Sequence, residues 1–234
     1  VYARESVLRF EKSNSDLVTS LEPEPAVDDV TVAAAIPGDE PWALIAIDEE
    51  VNSPSVVVFN RVATDFFDAF GARVIAGRAL RDSDSTGSTQ AIVVNRAFVN
   101  QLLGGANAVG RRVHYVEPGR REPAMGGTTT QYEIVGVVTD LGTNPIVPDL
   151  IEPVMYHSLR GSTRATALIR VRGNDPLPFS SRLRDLTSAL DPTLRLRIVT
   201  FSEMKRQQMI GLRLMVLGSS LVILTALVLS GGRI

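Results

Sequence analysis

The chain has 234 residues, 44 % of them hydrophobic, with 24 basic and 26 acidic side chains and no cysteine. This length supports one or two domains with a sizeable core, and the lack of cysteine excludes a disulfide framework, a thiolate metal site and a cysteine nucleophile. The net charge of −2 conceals an asymmetry: residues 1–70 carry 14 acidic and 4 basic side chains, net −10, whereas residues 71–234 carry 12 and 20, net +8. Two oppositely charged solvated surfaces account for it; an acidic face for a cationic partner is the sharper alternative. No stretch interleaves basic density with aromatics, so nucleic acid is not an expected partner.

Residues 4–21 set Val7, Leu8, Phe10, Leu17 and Leu21 among charges and predict an imperfect amphipathic helix, ended by Pro23 and Pro25. Val30–Ala35 reads as a strand closed by Pro37-Gly38. Strands follow at Ala43–Ile47 and Val56–Asn60. Thr64 is placed to N-cap a short helix through Phe66, Phe67 and Phe70, with Gly71 just past its end. Val74-Ile75 is apolar, and Gly77-Arg78 turns into the polar stretch 82–89, where Arg78 can pair with Asp82 or Asp84. Ala91–Val94 is a buried strand, and Asn95 caps a helix with Ala97, Phe98, Leu102 and Leu103 inward, stopped by Gly104-Gly105. Strands at 110–116 and 132–140 flank a Gly/Pro/Thr-rich stretch, 117–130. Near the end, 164–172 alternates as a strand, 177–190 is a helix with Phe179, Leu183, Leu186 and Leu190 on one face, and 194–200 alternates again.

A helix–strand unit at the start and a strand–helix–strand unit at the end predict an α+β subdomain built from both chain ends. Residues 42–154 are then a β-rich insertion.

Leu214–Gly232 is a run of 19 residues without charge. As a helix it spans roughly 28 Å, close to the hydrocarbon core of a bilayer. Lys205, Arg206 and Arg213 stand before it, able to reach a headgroup layer. The chain is therefore expected to sit on a membrane with its preceding residues on one side. It begins with Val and stops as the apolar run ends, as a piece of a longer membrane protein would.

Catalytic and metal chemistry finds no foothold. His114 and His157 lie in separate β-like contexts without a ligand partner at suitable spacing. Asp82-Ser-Asp-Ser-Thr-Gly has the first two acids of a calcium loop, but Val93 stands where the bidentate Glu belongs. The glycines of 104–110 follow a helix instead of opening one, so they form no phosphate cradle. No Gly-x-Ser-x-Gly elbow is present, and the acidic pairs sit in turns. No enzyme activity, metal or cofactor is expected.

Five segments in order carry a family resemblance: Val62–Ala72, Ala76–Asp84, Ala91–Phe98, Ala108–Val113 and Glu133–Asp140. Together with Glu152–Tyr156, Leu190–Leu194 and the apolar run, they resemble the periplasmic core domain of MacB-like ABC transporter permeases, in the FtsX-like permease superfamily. The motif positions fall on Phe67, Gly71, Gly77, Arg78, Gly110, Gly136 and Asp140, with Gln207, Arg213, Leu214 and Leu229 marking the stalk and membrane segment. The resemblance implies an α+β fold. A split porter-like α/β subdomain (1–41 and 155–205) would carry an inserted β-rich subdomain (42–154), followed by a stalk and C-terminal transmembrane helix (206–232).

It further implies a bacterial inner membrane location with the main domain on the periplasmic side. The implied partners are a cytoplasmic ABC ATPase, a second permease protomer or domain, and a periplasmic adaptor. The implied function is relay of ATP-driven motion for export of an unknown substrate. Two alternatives stand beside it: an FtsX-type relay activating a cell-wall hydrolase, and a membrane-anchored ligand-binding or sensory module.

Overall fold

The computed structural model describes residues 14–48, 54–85, 89–116, 131–141, 151–159, 166–173, 175–190, 198–200, 203 and 206. Nine strands form one mixed sheet: β1 (Val27–Ala33), β2 (Trp42–Ile47), β3 (Ser55–Val62), β4 (Val74–Gly77), β5 (Thr89–Asn95), β6 (Arg112–Tyr115), β7 (Gln131–Val138), β8 (Val154–Ser158) and β9 (Thr166–Val171). Among the described residues four α-helices accompany them: α1 (Asn14–Leu21), α2 (Phe66–Ala69), α3 (Arg96–Leu102) and α4 (Leu177–Leu190).

Six strands close into a ring in the order β2-β6-β7-β5-β8-β3, because β2 pairs with both β6 and β3. Closure leaves these strands without a free edge, which removes the exposed ladder groups that invite aggregation. Alternation then fills the interior. Ile45, Val57, Phe59, Ile92, Val94, Val113, Tyr132, Ile134 and Met155 form its cluster, with Phe98 of α3 packed in.

Outside the ring, β1 joins the end of β3 through the register pair Ala33↔Val62, and β9 pairs antiparallel with β1 from Val27↔Val171 to Ala33↔Thr166. The first and last parts of the chain therefore meet in one ladder, as the sequence pattern predicts for the strands near 30 and 166. The third expected strand, at 194–200, lies mostly outside the described residues. Helices α1 and α4 cover this ladder: Leu21, Phe179 and Leu183 pack on Val27, Val30, Ala167, Ile169 and Val171. Phe179 and Leu183 are four residues apart, one above the other on the helix face. Each fully buried side chain of this size contributes about 2–3 kcal/mol.

The β1–β3 junction is held by more than its register pair. Ala34 N–H donates to Arg61 O at 2.8 Å and Ala63 N–H to Val32 O at 2.9 Å. The buried Asn60 side chain clamps Ala35 from both sides, accepting from its N–H at 3.1 Å and donating to its carbonyl at 2.9 Å. Thr31 Oγ1 donates to Asp65 Oδ1 at 2.5 Å. This last bond corrects one expectation. The N-cap residue of α2 is Asp65, not Thr64, and no side chain caps the helix, because the Asp65 carboxylate is engaged by β1.

The α3 cap is as expected: Asn95 Oδ1 accepts from Phe98 N–H at 3.0 Å. The same oxygen accepts from Val154 N–H at 2.9 Å, and the Asn95 amide donates to Glu152 O at 2.8 Å. One side chain thus ties the end of β5 to the start of α3 and of β8.

Replacing Asn60 by Ala leaves both main-chain groups of Ala35 without their side-chain partner. Asn60→Ala is expected to cost about 2–3 kcal/mol in urea unfolding, with the m-value unchanged. A loss below about 0.5 kcal/mol would show that the clamp does not hold the junction.

Candidate functional site

The seven motif residues are scattered between Phe67 and Asp140, yet five of them gather against β7. Gly77 and Arg78 cross its C-terminal half, Gly110 bonds to its middle, Gly136 lies within it, and Asp140 follows its end. One edge of β7 bonds first to β6 and then to β4, while β5 runs parallel along the other edge. The β5–β7 register slips between Ile92 and Val93, so Val135 is the extra residue of a bulge.

The crossing is too tight for side chains. A Cβ on Gly136 would collide with the carbonyl oxygen of Arg78, and a Cβ on Gly77 with that of Val135. Gly77 also has φ +67°, in the left-handed region where glycine carries no penalty. Arg78 N–H donates to Val135 O at 2.9 Å, and Gly110 N–H to Ile134 O at 2.8 Å.

Arg78 then turns its guanidinium onto Asp84 in a two-pronged ion pair, with 2.7 and 2.8 Å bonds, and donates to Ala79 O at 3.0 Å. Of the two acids weighed as its partner, Asp84 is the one engaged; Asp82 is the first residue of the short 3-10 turn that carries it. Asp84 Oδ2 also accepts from Arg81 N–H at 2.8 Å. The Arg78 hydrogen bonds hold the Asp84 carboxyl below its usual range and raise the arginine further. The Asp82–Asp84 pattern therefore serves a structural ion pair.

Asp140 Oδ1 accepts from Ala97 N–H at 2.8 Å, giving α3 a second N-terminal acceptor beside Asn95. Phe67 is buried at the junction core, edge-on to Tyr156 at 5.1 Å and to Phe66 at 5.8 Å. Gly71, at φ +65°, turns the chain out of α2 towards β4. Gln207, Arg213, Leu214 and Leu229 lie outside the described residues, as does the charge-free run. Among the described residues, no helix is long and apolar enough to cross a membrane. Also among them, no group of three or more His, Asp or Glu side chains could hold a metal ion.

Two polar features have a setting that the sequence did not reveal. One is a cleft of about 390 Å³ lined by Gly38, Glu40, Trp42, Val56, Val58 and Glu152. Burial pushes the Glu40 carboxyl up to about 7, against the Gly38 N–H bond at 2.6 Å that favours its ionised form. The other lies inside the ring, where Arg61 and His157 are neighbours across β3 and β8. Burial, helped by the Arg61 charge, pulls His157 down to about 3, and burial lowers Arg61 as well. Their signal is legible in retrospect: in 55–62 (SVVVFNRV) the alternation that sends Val57 and Phe59 inward sends Arg61 inward too.

A family model described as "MacB-like periplasmic core domain" matches residues 5–185. The chain belongs to this family. Two solved structures share the fold: the periplasmic region of MacB from Actinobacillus actinomycetemcomitans and the extracellular domain of the noncanonic ABC-type transporter YknZ from Gram-positive bacteria. The first is 14 % identical with a TM-score of 0.53, over 87 % of this chain and 92 % of that one. The second is also 14 % identical with a TM-score of 0.53, over 83 % of this chain and 99 % of that one. No curated protein matches the chain. This MacB-like domain is thus the extracytoplasmic part of an ABC transporter permease, a family of membrane proteins that work with an ATPase partner and are generally not enzymes.

The glycine crossing separates two kinds of glycine. Gly136→Ala drives a methyl into a main-chain carbonyl and is expected to cost about 3 kcal/mol or more, with loss of folded protein. Gly104→Ala meets open space at φ +58° and is expected to cost only about 1 kcal/mol. Equal urea midpoints for the two variants would show that β4 and β7 are not in contact.

Glu40 gives a pH signature. Its unfolded carboxyl gives up its proton near the ordinary value of 4.5, its folded one near 7. Between these, the folded chain holds a proton that the unfolded chain has lost. This stability is full below about 4.5 and is lost as pH rises through 7. Glu40→Gln keeps an acceptor for Gly38 and should flatten that fall in a pH series of melting temperatures. An unchanged slope would mean that Glu40 ionises normally in the fold.

Proposed function

We propose that this domain relays ATP-driven motion to the outer side of the membrane for export of a substrate. The observation that carries the reading is the construction of the fold: the first and the last of the described strands pair in the β1–β9 ladder, and that ladder grips the closed ring through the hydrogen-bonded junction at Ala33↔Val62. A force applied at the chain termini enters through α1 and α4, which flank the ladder in the chain and pack on it, and passes to the ring through the hydrogen-bonded junction.

In this reading the chain divides into a porter-like subdomain (1–41 and 155–205) and an insertion (42–154). β8 (Val154–Ser158) straddles that boundary, and its pairing with β3 and β5 moves the end of the insertion past Ser158. Residues 206–232 form the stalk and a transmembrane helix, with Arg213 at the headgroup layer and Leu214–Leu229 in the hydrocarbon. The cytoplasmic ATPase, a second permease protomer and a periplasmic adaptor are the partners, and the bacterial inner membrane is the location. An FtsX-type relay that activates a cell-wall hydrolase would use the same force path; the identity of the partner engaged outside the membrane separates the two.

The lever itself is testable. The stretch 201–213 consists mainly of good helix formers. Proline at position 207 would remove an intrahelical bond and clash with the carbonyl four residues earlier, costing roughly 3 kcal/mol or kinking the helix. In the complete transporter, Gln207→Pro is expected to leave ATP hydrolysis in place while export or partner activation falls. Undiminished transport at normal protein levels would show that no rigid lever is needed and would favour a passive ligand-binding module.

A further inference from the structure

Three segments far apart in the chain converge on the cleft of about 390 Å³ on the outer face of the ring. Trp42 and Val58 are register partners across the β2–β3 ladder, and Val56 stands two residues from Val58 on the same face. The residue between them, Val57, fills the ring interior. The turn before β2 brings Gly38 and Glu40, held against β3 by the Phe59 N–H bond to Pro41 O at 3.0 Å. The start of β8 brings Glu152: Val58 N–H donates to Pro153 O at 2.9 Å, and the Asn95 amide donates to Glu152 O at 2.8 Å. Backbone hydrogen bonds thus set the walls of the cleft in the folded chain itself.

The lining has two characters. Trp42 and Val56 are each 57 % exposed; among the described large hydrophobic side chains only Leu177 is more open to solvent. Single exposed apolar side chains are ordinary, but these two share one concave site. Every charged group that lines it is a carboxylate, Glu40 and Glu152. Gly38 N–H orients Glu40 Oε2, and the Glu152 charge adds to burial in disfavouring the ionised form of Glu40. A cation between the two carboxylates would relieve that repulsion. A bare metal ion would leave the indole and the valines uncovered, and an uncharged apolar guest would desolvate two acids without pairing them. A guanidinium answers both characters: it is planar and weakly hydrated, stacks on an indole face, and bonds carboxylates with its forked donors.

We propose that this cleft binds a guanidinium group carried on a short apolar stem, with the cation between Glu40 and Glu152 and against the face of Trp42. The stem lies along Val56 and Val58. A free alkylguanidine and an arginine side chain of another polypeptide present this same chemistry. The site stands whether or not the domain relays motion. Binding is linked to a proton. The titratable groups that face Glu40 are Glu152 and Tyr156 of β8, and neither carries positive charge. A bound cation favours the Glu40 carboxylate, so it displaces the proton, and affinity rises as pH climbs through about 7.

Trp42 is the single tryptophan of the chain, so its fluorescence reports on the cleft alone. The full 234-residue chain in neutral detergent is titrated above pH 7, at matched ionic strength, with n-butylguanidinium, a capped Gly-Arg-Gly peptide and the uncharged isostere n-butylurea. Both cations should give a saturable change in emission, and butylurea none. Glu152 is exposed, so Glu152→Gln should fold normally and weaken binding about tenfold. Glu40→Gln should remove the rise of affinity with pH. Tighter binding of butylguanidinium than of the peptide assigns the site to a free ligand, and the reverse order assigns it to an arginine of a partner protein. No saturable change with either cation, an equal change with butylurea, or undiminished affinity in Glu152→Gln would overturn the site.

Discussion

One edge of β3 serves two partners in succession. Its first half, Ser55–Val58, bonds to β2 and closes the ring; its last residue, Val62, bonds to Ala33 of β1 and carries the ladder of the first and last described strands. The opposite edge is occupied by β8 from Val58 to Val62. The backbone that completes the barrel therefore also suspends everything outside it. A side chain is spent where a long ladder is not available: Asn60 replaces further β1–β3 pairing with its two bonds to Ala35. Arg170 adds a distant tie, reaching from β9 to Ala69 O on α2 at 2.6 Å and to Asp28 at 2.7 Å. The acidic start of the chain and its basic remainder meet in such pairs, including Glu24 with Arg182, also at 2.6 Å. Two solvated surfaces that attract each other thus account for part of the charge asymmetry.

The second constraint is steric. At the β4–β7 crossing two main chains approach more closely than any Cβ would allow, and glycine stands at both contact points, Gly77 and Gly136. Such a crossing has no rotamers to adjust. It fixes where β4 leaves the sheet, and hence where Arg78 meets Asp84. The family motifs read from the sequence are in this sense one structure: Gly110 and Asp140 bond around the same strand, at Ile134 O and at the start of α3. Together they fix the backbone on both sides of β7.

Local chemistry was legible in the sequence; long-range geometry was only partly so. Asn95 as a cap, Gly71 past the end of α2, the glycines that stop α3 and the inward face of Phe179 and Leu183 all follow from rules that act within one turn. The meeting of the chain ends was legible because a helix–strand unit and a strand–helix–strand unit each leave an apolar face to cover. Ring closure was not, since β2 gives no local sign that it bonds to both β6 and β3. Thr64 was displaced as the cap by Asp65, whose carboxylate is set by a tertiary partner, Thr31. Arg61 falls just past the expected strand Val56–Asn60, and His157 reads from the sequence only as a histidine in a β-like context without a ligand partner; their proximity appears only when β3 and β8 lie side by side.

The central claim is that the terminal ladder and the ring act as one mechanical body. Native-state hydrogen exchange on the amides of Ala34 and Ala63, which bond across the junction, tests it against Ile134, whose amide bonds within the ring to Arg111 O. The account predicts that all three open with the same free energy, that of global unfolding. Exchange of Ala34 and Ala63 through a smaller opening, with Ile134 still protected, would mean that the ladder swings free of the ring, and the relay would lose its physical basis.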